Sequence, residues 1–240
     1  MLIRLGIVDS TQSFLARHPE LGFCGVMADS QTAGRGRGNN SWKSERGAGL
    51  WLSACLPPLS LSAGTLLQSA MTSVAMALEP CGIPLGLKWP NDLVAHKQDG
   101  LLVKIGGIIG EQKGDRVILG LGLNIFSAPE IPDRAIPPAS LSSLGAANIP
   151  NTVDLAKSIL RAWRRLETQC PQSQIAFRWP DLGDAIRWED GHGVCQGWEA
   201  DGRLAVLTES GLVLLASGDV KYLLYGISTH PHCLPTSPAL

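Results

Sequence analysis

Lys88-Trp89-Pro90-Asn91-Asp92, then Lys104-Ile105-Gly106-Gly107-Ile108-Ile109-Gly110-Glu111, then Gly120-Leu121-Gly122-Leu123-Asn124 is the run of sequence on which the reading of this chain turns. The apolar stretches Leu85–Trp89, Val103–Gly110 and Arg116–Ile125 predict strands. Each carries residues foreign to an apolar ribbon. A lysine leading into a buried strand must find an anion or reach solvent. Glycine inside a strand costs stability and marks close approach of a ligand or of another backbone. Asn91 and Asp92 offer oxygen ligands to Mg2+, with Lys88 facing a phosphate. A surface Lys88–Asp92 ion pair is the plainer reading of the same residues.

Upstream lies Ala33-Gly34-Arg35-Gly36-Arg37-Gly38-Asn39-Asn40-Ser41-Trp42. Glycine lets a backbone approach a ligand closely. Each arginine offers a planar, permanently charged fork for carboxylate or phosphate. The indole stacks on a flat ring. Alone, the loop reads equally as a solvated surface loop or as an RNA-binding Arg-Gly segment.

Composition narrows these choices. The chain has 240 residues, 45% of them hydrophobic, enough for a large core and more than one usual domain. A net charge of −1, from 20 basic and 21 acidic residues, argues against nucleic acid as the main partner. The basic cluster Arg35, Arg37, Lys43 and Arg46 is therefore local. No secretory signal is evident at the N-terminus. Ser62–Leu78 is no membrane span: Ser62, Thr65, Ser69, Thr72 and Ser73 form a polar stripe at helical spacing, beside an apolar one of Ala63, Leu67, Ala70, Val74 and Leu78. The six cysteines lie far apart with no C-x-x-C pair, so they read as reduced, mostly buried thiols of a cytoplasmic protein.

Asp9-Ser10-Thr11 before Ser13–Ala16 predicts a strand end, a cap and a short helix. Phe23–Ala28 and Leu50–Leu56 predict strands on either side of the arginine loop. Pro129–Pro138 is a proline-rich connection. Thr152–Gln169 predicts a helix capped by Thr152, with Leu155, Ile159, Trp163 and Leu166 on one face. From Gly183 turn signals recur at Asp190-Gly191, Asp201-Gly202 and Ser210-Gly211, the spacing of a small β-barrel. Three segments result: residues 1–180, 181–227, and a polar, proline-containing tail at 228–240. In that tail, His230-Pro231-His232-Cys233 is read as part of a disordered segment before it is read as a metal site. His96 and His192, beside turn residues, are expected at the surface. Trp179, Trp188 and Trp198 are expected in the barrel core or in interdomain packing.

In this order and at these separations, the motifs resemble those of the biotin protein ligases over roughly residues 5–225. The resemblance rests on Asp9-Ser10-Thr11, the loop from Gln31 to Arg37 with Trp42, Lys88–Asp92, the Lys104 strand, Gly122-Leu123-Asn124 and Ala139-Ser140-Leu141. It implies an α+β fold. A mixed β-sheet catalytic domain with flanking helices, like class II synthetases and biotin–lipoyl ligases, would precede a small C-terminal SH3-like β-barrel. It also implies ATP and biotin as substrates, Mg2+, biotinyl-5′-adenylate as the intermediate, and the biotin carboxyl carrier protein of acetyl-CoA carboxylase as partner. The catalytic domain begins by Val8, so no DNA-binding module and no DNA partner are expected, nor a membrane; the chain would be a monomer or weak homodimer.

By that resemblance Arg35, Arg37, Lys88, Asp92 and Lys104 carry the chemistry. Ser10, Thr11, Gln31, Gly34, Arg35, Lys104, Gly106, Gly107 and Gly122 hold biotin. Arg37, Trp42, Lys88, Asn91, Asn124 and Ser140 hold ATP and the adenylate, and Asn91 with Asp92 hold Mg2+. Cations are needed because a carboxylate must meet a triphosphate, and a closing loop because the adenylate is labile to water. No nucleophilic triad is needed, because the carrier's lysine attacks; Asp92 would orient its amine. Two departures stand out. The family's loop usually continues to a further Gly-Arg, where this chain has Asn39-Asn40, which implies either weaker ligand affinity or loop closure, or substitution by Lys43 or Arg46. The segment between Asp92 and Lys104 is long, implying an extended hairpin turn near Asp99-Gly100. A lipoyl ligase or transferase of the same fold, and a non-catalytic biotin-binding module, are the competing readings.

Overall fold

A computed structural model of the chain describes residues 1–57, 59–132, 134–166 and 175–222. Eight strands form the larger sheet: β1 (Leu2–Val8), β2 (Gly25–Gln31), β3 (Gly49–Leu56), β4 (Leu85–Lys88), β5 (Asp92–His96), β6 (Leu102–Lys113), β7 (Arg116–Asn124) and β8 (Phe177–Trp179). Their order is β1-β2-β3-β7-β6-β5-β4-β8. The pairs β1/β2 and β4/β8 are parallel and the rest antiparallel, so the sheet is mixed.

Strand alternation divides this sheet into two unlike faces. Leu50, Leu52, Ala54 and Leu56 of β3, with Leu119, Leu121 and Leu123 of β7, turn to one face. They join the main core there with Ile105 and Ile108 of β6. Helices α2 (Ala63–Ala77) and α3 (Thr152–Trp163) supply Ala70, Met71, Val74, Leu155, Ile159 and Trp163 to that core. The opposite face is covered at one end by the short helix α1 (Thr11–Arg17), whose Leu15 packs on Val26, Cys55 and Ile118. Beyond α1 the same face presents Ser53, Gly120 and Gly122, small residues that leave a trough. Ser53 lies opposite Gly120, and Trp51 opposite Gly122, in the register.

Caps follow local chemistry. Ser10 accepts the Ser13 N–H and starts α1; Ser62 accepts the Thr65 N–H and starts α2. Helix α3 is capped by Asn151, one residue before the expected Thr152, and runs only to Trp163; residues 167–169 of the expected helix lie outside the described residues. The C-terminal part of the polar stripe of α2 is buried: Ser69, Thr72 and Ser73 are under 7% exposed, whereas Ser62 is exposed and Thr65 half-buried. Thr72 and Ser73 donate to the carbonyls of Gln68 and Ser69, satisfying their hydroxyls within the helix. The long Asp92–Lys104 segment is a hairpin, β5 to β6, turning at Gly100 with φ 85°.

Strand β6 carries a bulge. Leu93 pairs Gly106, whereas Val94 pairs Lys104, so one residue is extra. The bulge shifts the alternation. Gly106 turns toward Leu93 and Leu123, where an added Cβ would lie 3.1 Å from Leu123 Cδ1, while Gly107 returns to the trough face beside Lys104.

A second, five-stranded antiparallel sheet holds β9 (Ala185–Trp188), β10 (Gly191–Trp198), β11 (Leu204–Thr208), β12 (Gly211–Leu215) and β13 (Lys221–Tyr222), in the order β12-β11-β10-β9-β13. Its outer strands do not pair with each other among the described residues, so it stands as an open sheet rather than the closed barrel expected. Its core contains Ile186, Cys195, Leu204, Val206 and Val220, and two tryptophans of the first sheet, Trp89 and Trp179, complete it. Trp89 Nε1 donates to the Gly202 carbonyl at 3.0 Å. Gly64, in the first turn of α2, meets the Asp201–Gly202 turn so closely that an added Cβ would lie 2.6 Å from the Asp201 carbonyl. Trp188 and Trp198 pack at the edge of the same core. His96 and His192 are exposed, and Cys24, Cys55, Cys81 and Cys195 are buried free thiols. No helix among the described residues is long and apolar enough to cross a membrane. Cys170, Cys233, His230 and the tail at 228–240 lie outside the described residues.

Candidate functional site

The trough is a cavity with two chemically different ends. At one end the start of α1 meets β2 and β3. Gln31 Oε1 accepts the Thr11 backbone N–H at 2.8 Å and the Thr11 hydroxyl at 3.1 Å. Gln31 Nε2 donates to Ser44 Oγ at 2.7 Å. The Thr11 N–H can only donate, so it fixes the orientation of the Gln31 amide. Thr11 has spent its one hydrogen, so Ser53 must donate across the 2.8 Å contact between the two hydroxyls. The proton count leaves Gln31 a free N–H, and leaves Thr11 and Ser53 as acceptors. Ser10 Oγ already accepts the Ser13 N–H, so its own hydrogen remains to donate. This end is neutral, directional and mixed in donors and acceptors.

The other end is cationic. Arg35, Arg37, Lys43, Lys88, Lys104 and Arg134 line the cavity against two carboxylates, Asp92 and Asp219. Lys104 Nζ lies 2.6 Å from Asp92 Oδ1 and 5.4 Å from the centre of the Trp42 ring. Lys88, at the end of β4, keeps only 6% of its side chain exposed; its Nζ lies 3.2 Å from Asp219 and 5.1 Å from the Trp179 ring. Arg35 pairs with Glu111 at 3.0 Å. Lys113 first, and then Arg35, hold the Glu111 carboxyl below the usual glutamate range. Arg37 donates to the Gly218 carbonyl at 3.0 Å. The second sheet therefore delivers Gly218 and Asp219 to a cavity otherwise built by the first.

The arginine loop is a hairpin. Gly36 N–H donates to the Asn40 carbonyl, Asn40 N–H to the Arg37 carbonyl, and Trp42 N–H to the Gly34 carbonyl. Gly38 turns it with φ 57°. The Asn40 side chain also donates to the Arg37 carbonyl at 3.1 Å, so it stiffens the turn. The Trp42 indole lies against Gly122, where an added Cβ would sit 2.3 Å from it.

Of the residues singled out from sequence, Ser10, Thr11, Gln31, Arg35, Arg37, Trp42, Lys88, Asn91, Asp92, Lys104, Gly107, Gly122 and Asn124 all line this one cavity. Three do not. Gly34 is pressed against the Trp42 carbonyl and supports the hairpin from behind. Gly106 is turned to the core by the bulge. Ser140 is buried and caps a short helical turn, accepting the Ser143 N–H at 3.1 Å. Arg46, expected to replace the missing loop arginine, pairs with Asp29 instead, whereas Lys43 does line the cavity. Asn91 donates to the Ile108 carbonyl and Asp92 is taken by Lys104, and no three His, Cys, Asp or Glu side chains cluster among the described residues. That donor set does not fit a resident metal ion.

Sequence reasoning missed Gln12, Ser53, Arg134 and Asp219. The strand glycine Gly120 was the available signal for Ser53, its partner in the register. Nothing local points to Asp219, which meets Lys88 across 131 positions.

A cavity with a neutral hydrogen-bonding end and a cationic end defines a binder of an anion that also carries an uncharged polar head. The comparisons agree. A sequence model of the Biotin/lipoate A/B protein ligase family matches residues 8–124. The chain is 32% identical over 220 residues to the biotin–[acetyl-CoA-carboxylase] ligase of Mycobacterium tuberculosis, covering 82% of this chain and 78% of that one. It is 26% identical over 224 residues to the corresponding ligase of Paracoccus denitrificans, covering 82% and 89%. The biotin protein ligase of Aquifex aeolicus, solved with biotin and ATP, superposes with a TM-score of 0.72 at 26% identity, covering 92% of this chain and 99% of that one. The chain belongs to the biotin/lipoate protein ligase family and, within it, to the biotin protein ligases.

Proposed function

We propose that this chain is an ATP-dependent biotin ligase that forms biotinyl-5′-adenylate and transfers the biotinyl group to a lysine of a biotin carboxyl carrier protein, that of acetyl-CoA carboxylase. The observation that carries this reading is the junction of the neutral end at Ser10, Thr11 and Gln31 with the cationic end at Arg35, Arg37, Lys88 and Lys104. Biotin has a neutral ureido head and a carboxylate tail, so it spans both ends.

In the first step a biotin carboxylate oxygen attacks the α-phosphorus of MgATP. The bond to the β-phosphate oxygen breaks and pyrophosphate leaves. Lys104, Arg35 and Arg37 stabilise negative charge where anions converge. Lys104 leaves Asp92 for the incoming carboxylate and phosphate. Asn124 donates to the Ala139 carbonyl at 3.2 Å while its buried Oδ1 has no partner, so it is suited to accept an adenine N–H. Trp42 supplies the flat surface beside it. Mg2+ enters with the triphosphate as part of that substrate. In the second step the carrier's amine attacks the acyl carbon, AMP leaves, and Asp92, freed from Lys104, orients the amine. We assign residues 1–180 to the catalytic unit and 181–227 to the family's SH3-like module, in a cytoplasmic protein acting as a monomer or weak homodimer.

The test is incubation with biotin, MgATP and a biotin-carrier domain, reading label incorporation, with lipoate substituted for biotin in ATP–pyrophosphate exchange. Biotin-dependent exchange and labelling are expected. Exchange with lipoate alone selects a lipoyl ligase, and exchange with neither leaves a binding module.

A further inference from the structure

Arg35, the first arginine of the hairpin, is grasped by a strand that lies far from it in sequence. Its Nη1 donates to Glu111 Oε2 at 3.0 Å, across 76 positions of chain. Strand alternation explains how Glu111 comes to be there. Gly107 and Ile109 of β6 line the cavity. Gly110 faces the core, where an added Cβ would lie 3.5 Å from Leu119 Cδ2 and 3.6 Å from Leu67 Cδ2. Residue 111 therefore returns to the cavity side, beyond Ile109, and Lys113 follows it on the same side. Lys113 Nζ holds the other carboxylate oxygen, Oε1, at 2.8 Å. The Glu111 side chain is 22% exposed, against 47% for Arg35. Arg35 lines the cavity while so held.

An exposed ion pair of this kind adds little to stability. Its value here is geometric. Arginine is among the costliest side chains to immobilise, and a guanidinium fork acts well only when it is aimed. The hairpin's own bonds, at Gly36, Asn40 and Trp42, join backbone to backbone and aim no side chain. We infer that Glu111 is a positioning residue for the ligation reaction, fixing the Arg35 guanidinium against β6 so that it meets the converging anions already oriented. This rests on the biotin-ligase reading, and on the place of Arg35 in it, and deepens it. Glu111 acts only through Arg35. A bare carboxylate beside a site for a carboxylate and a triphosphate would repel both. Lys113 removes that conflict, because two cations around one carboxylate leave the group net positive. Arg37 is anchored differently, by the neutral Gly218 carbonyl.

The experiment is biotin-dependent ATP–pyrophosphate exchange with the wild-type chain, Glu111→Gln, Arg35→Gln, the double variant and Lys113→Met. Glu111→Gln is expected to lower kcat about tenfold with little change in KM for biotin, as misdirection of a group at the reacting centre does. In the Arg35→Gln background the same substitution should cost nothing further, because the two residues act as one unit. Lys113→Met keeps the Glu111–Arg35 contact and should stay within about twofold of wild type. A structural role at the end of β6 would lower the melting temperature in Glu111→Gln and Lys113→Met alike, and its cost would add in the double variant. That additivity, an unchanged kcat in Glu111→Gln, or a kcat that rises because a negative charge has gone, overturns the assignment. Arg35→Gln with wild-type exchange does the same. A crystal structure of the wild-type chain with biotinyl-adenylate decides the matter even if Glu111→Gln does not fold. Arg35 touching the ligand while still bonded to Glu111 supports the assignment, and Arg35 released from Glu111 refutes it. Exchange absent from the wild-type protein removes the ligase reading and this inference with it. Exchange present, with an indifferent Glu111→Gln, removes the Glu111 assignment alone.

Discussion

A lysine in an apolar strand announces an anion, and in the cavity Lys104 lies 2.6 Å from the Asp92 carboxylate. In the proposed mechanism its ammonium opposes charge that grows as the carboxylate meets the α-phosphate. Lys104→Ala is therefore expected to slow adenylate formation on the order of a hundredfold, with a smaller loss in biotin affinity. Pyrophosphate exchange beside equilibrium biotin binding measures both, and near-normal exchange would take Lys104 out of the chemistry. Charged and glycine positions were legible because each breaks a local pattern. Gly106 and Gly107 are adjacent and face opposite sides of the strand, so only one of the pair lines the cavity, and the bulge that decides which one is not visible in the periodicity. Asp219 was illegible because only tertiary folding brings it to Lys88.

Among the elements, the arginine hairpin is the one with most to do and least to hold it. Its turn rests on Asn40 and on a glycine with positive φ, and it has no apolar anchor before Trp42. Amide hydrogen exchange over residues 34–42 should slow when biotinyl-adenylate binds. Equal protection with and without ligand would show the hairpin already closed. Asn40 bonds the Arg37 carbonyl but brings no charge. Replacing Asn39-Asn40 with Gly-Arg should slow adenylate release by about tenfold, near 1.4 kcal/mol, if the added guanidinium reaches the phosphate. An unchanged release rate would mean that Lys43 or Arg134 already serves.

Helix α1 offers a pH test. Arg17 bonds Asp9 at 2.7 Å and 2.8 Å and holds its carboxyl at about 2. A carboxyl held below its unfolded value adds stability above the ordinary carboxylate range, and that stability is lost as pH falls towards about 2. Both side chains are substantially exposed, so the effect is small. Asp9→Asn should lower the melting temperature slightly at neutral pH, with the gap shrinking as pH falls and closing only below about 2. A gap that persists in acid would assign the loss to the turn rather than to the charge.

At the scale of the whole molecule, two sheets share one core through Trp89 and Trp179. The small sheet cannot complete its own interior without them. Trp179→Ala would open a cavity there and remove the ring facing Lys88, at a cost of about 3–5 kcal/mol in thermal or denaturant unfolding. A loss under about 1 kcal/mol would show that the sheets are joined by other contacts. The division of the chain near Trp179–Gly183 was legible because turn spacing changes there. The mutual dependence of the two parts was not, since no periodicity records that two tryptophans of the first sheet finish the second. That dependence also sets an order in time. Every residue lining the cavity except Asp219 precedes Ala139 in the chain. During synthesis the rest of the cavity lining therefore emerges from the ribosome long before the carboxylate that balances Lys88. A nascent chain holds Lys88 without its counter-charge, while Lys104 and Arg35 already have Asp92 and Glu111, and the charge balance of the cavity is completed only once the small sheet has been translated and has docked.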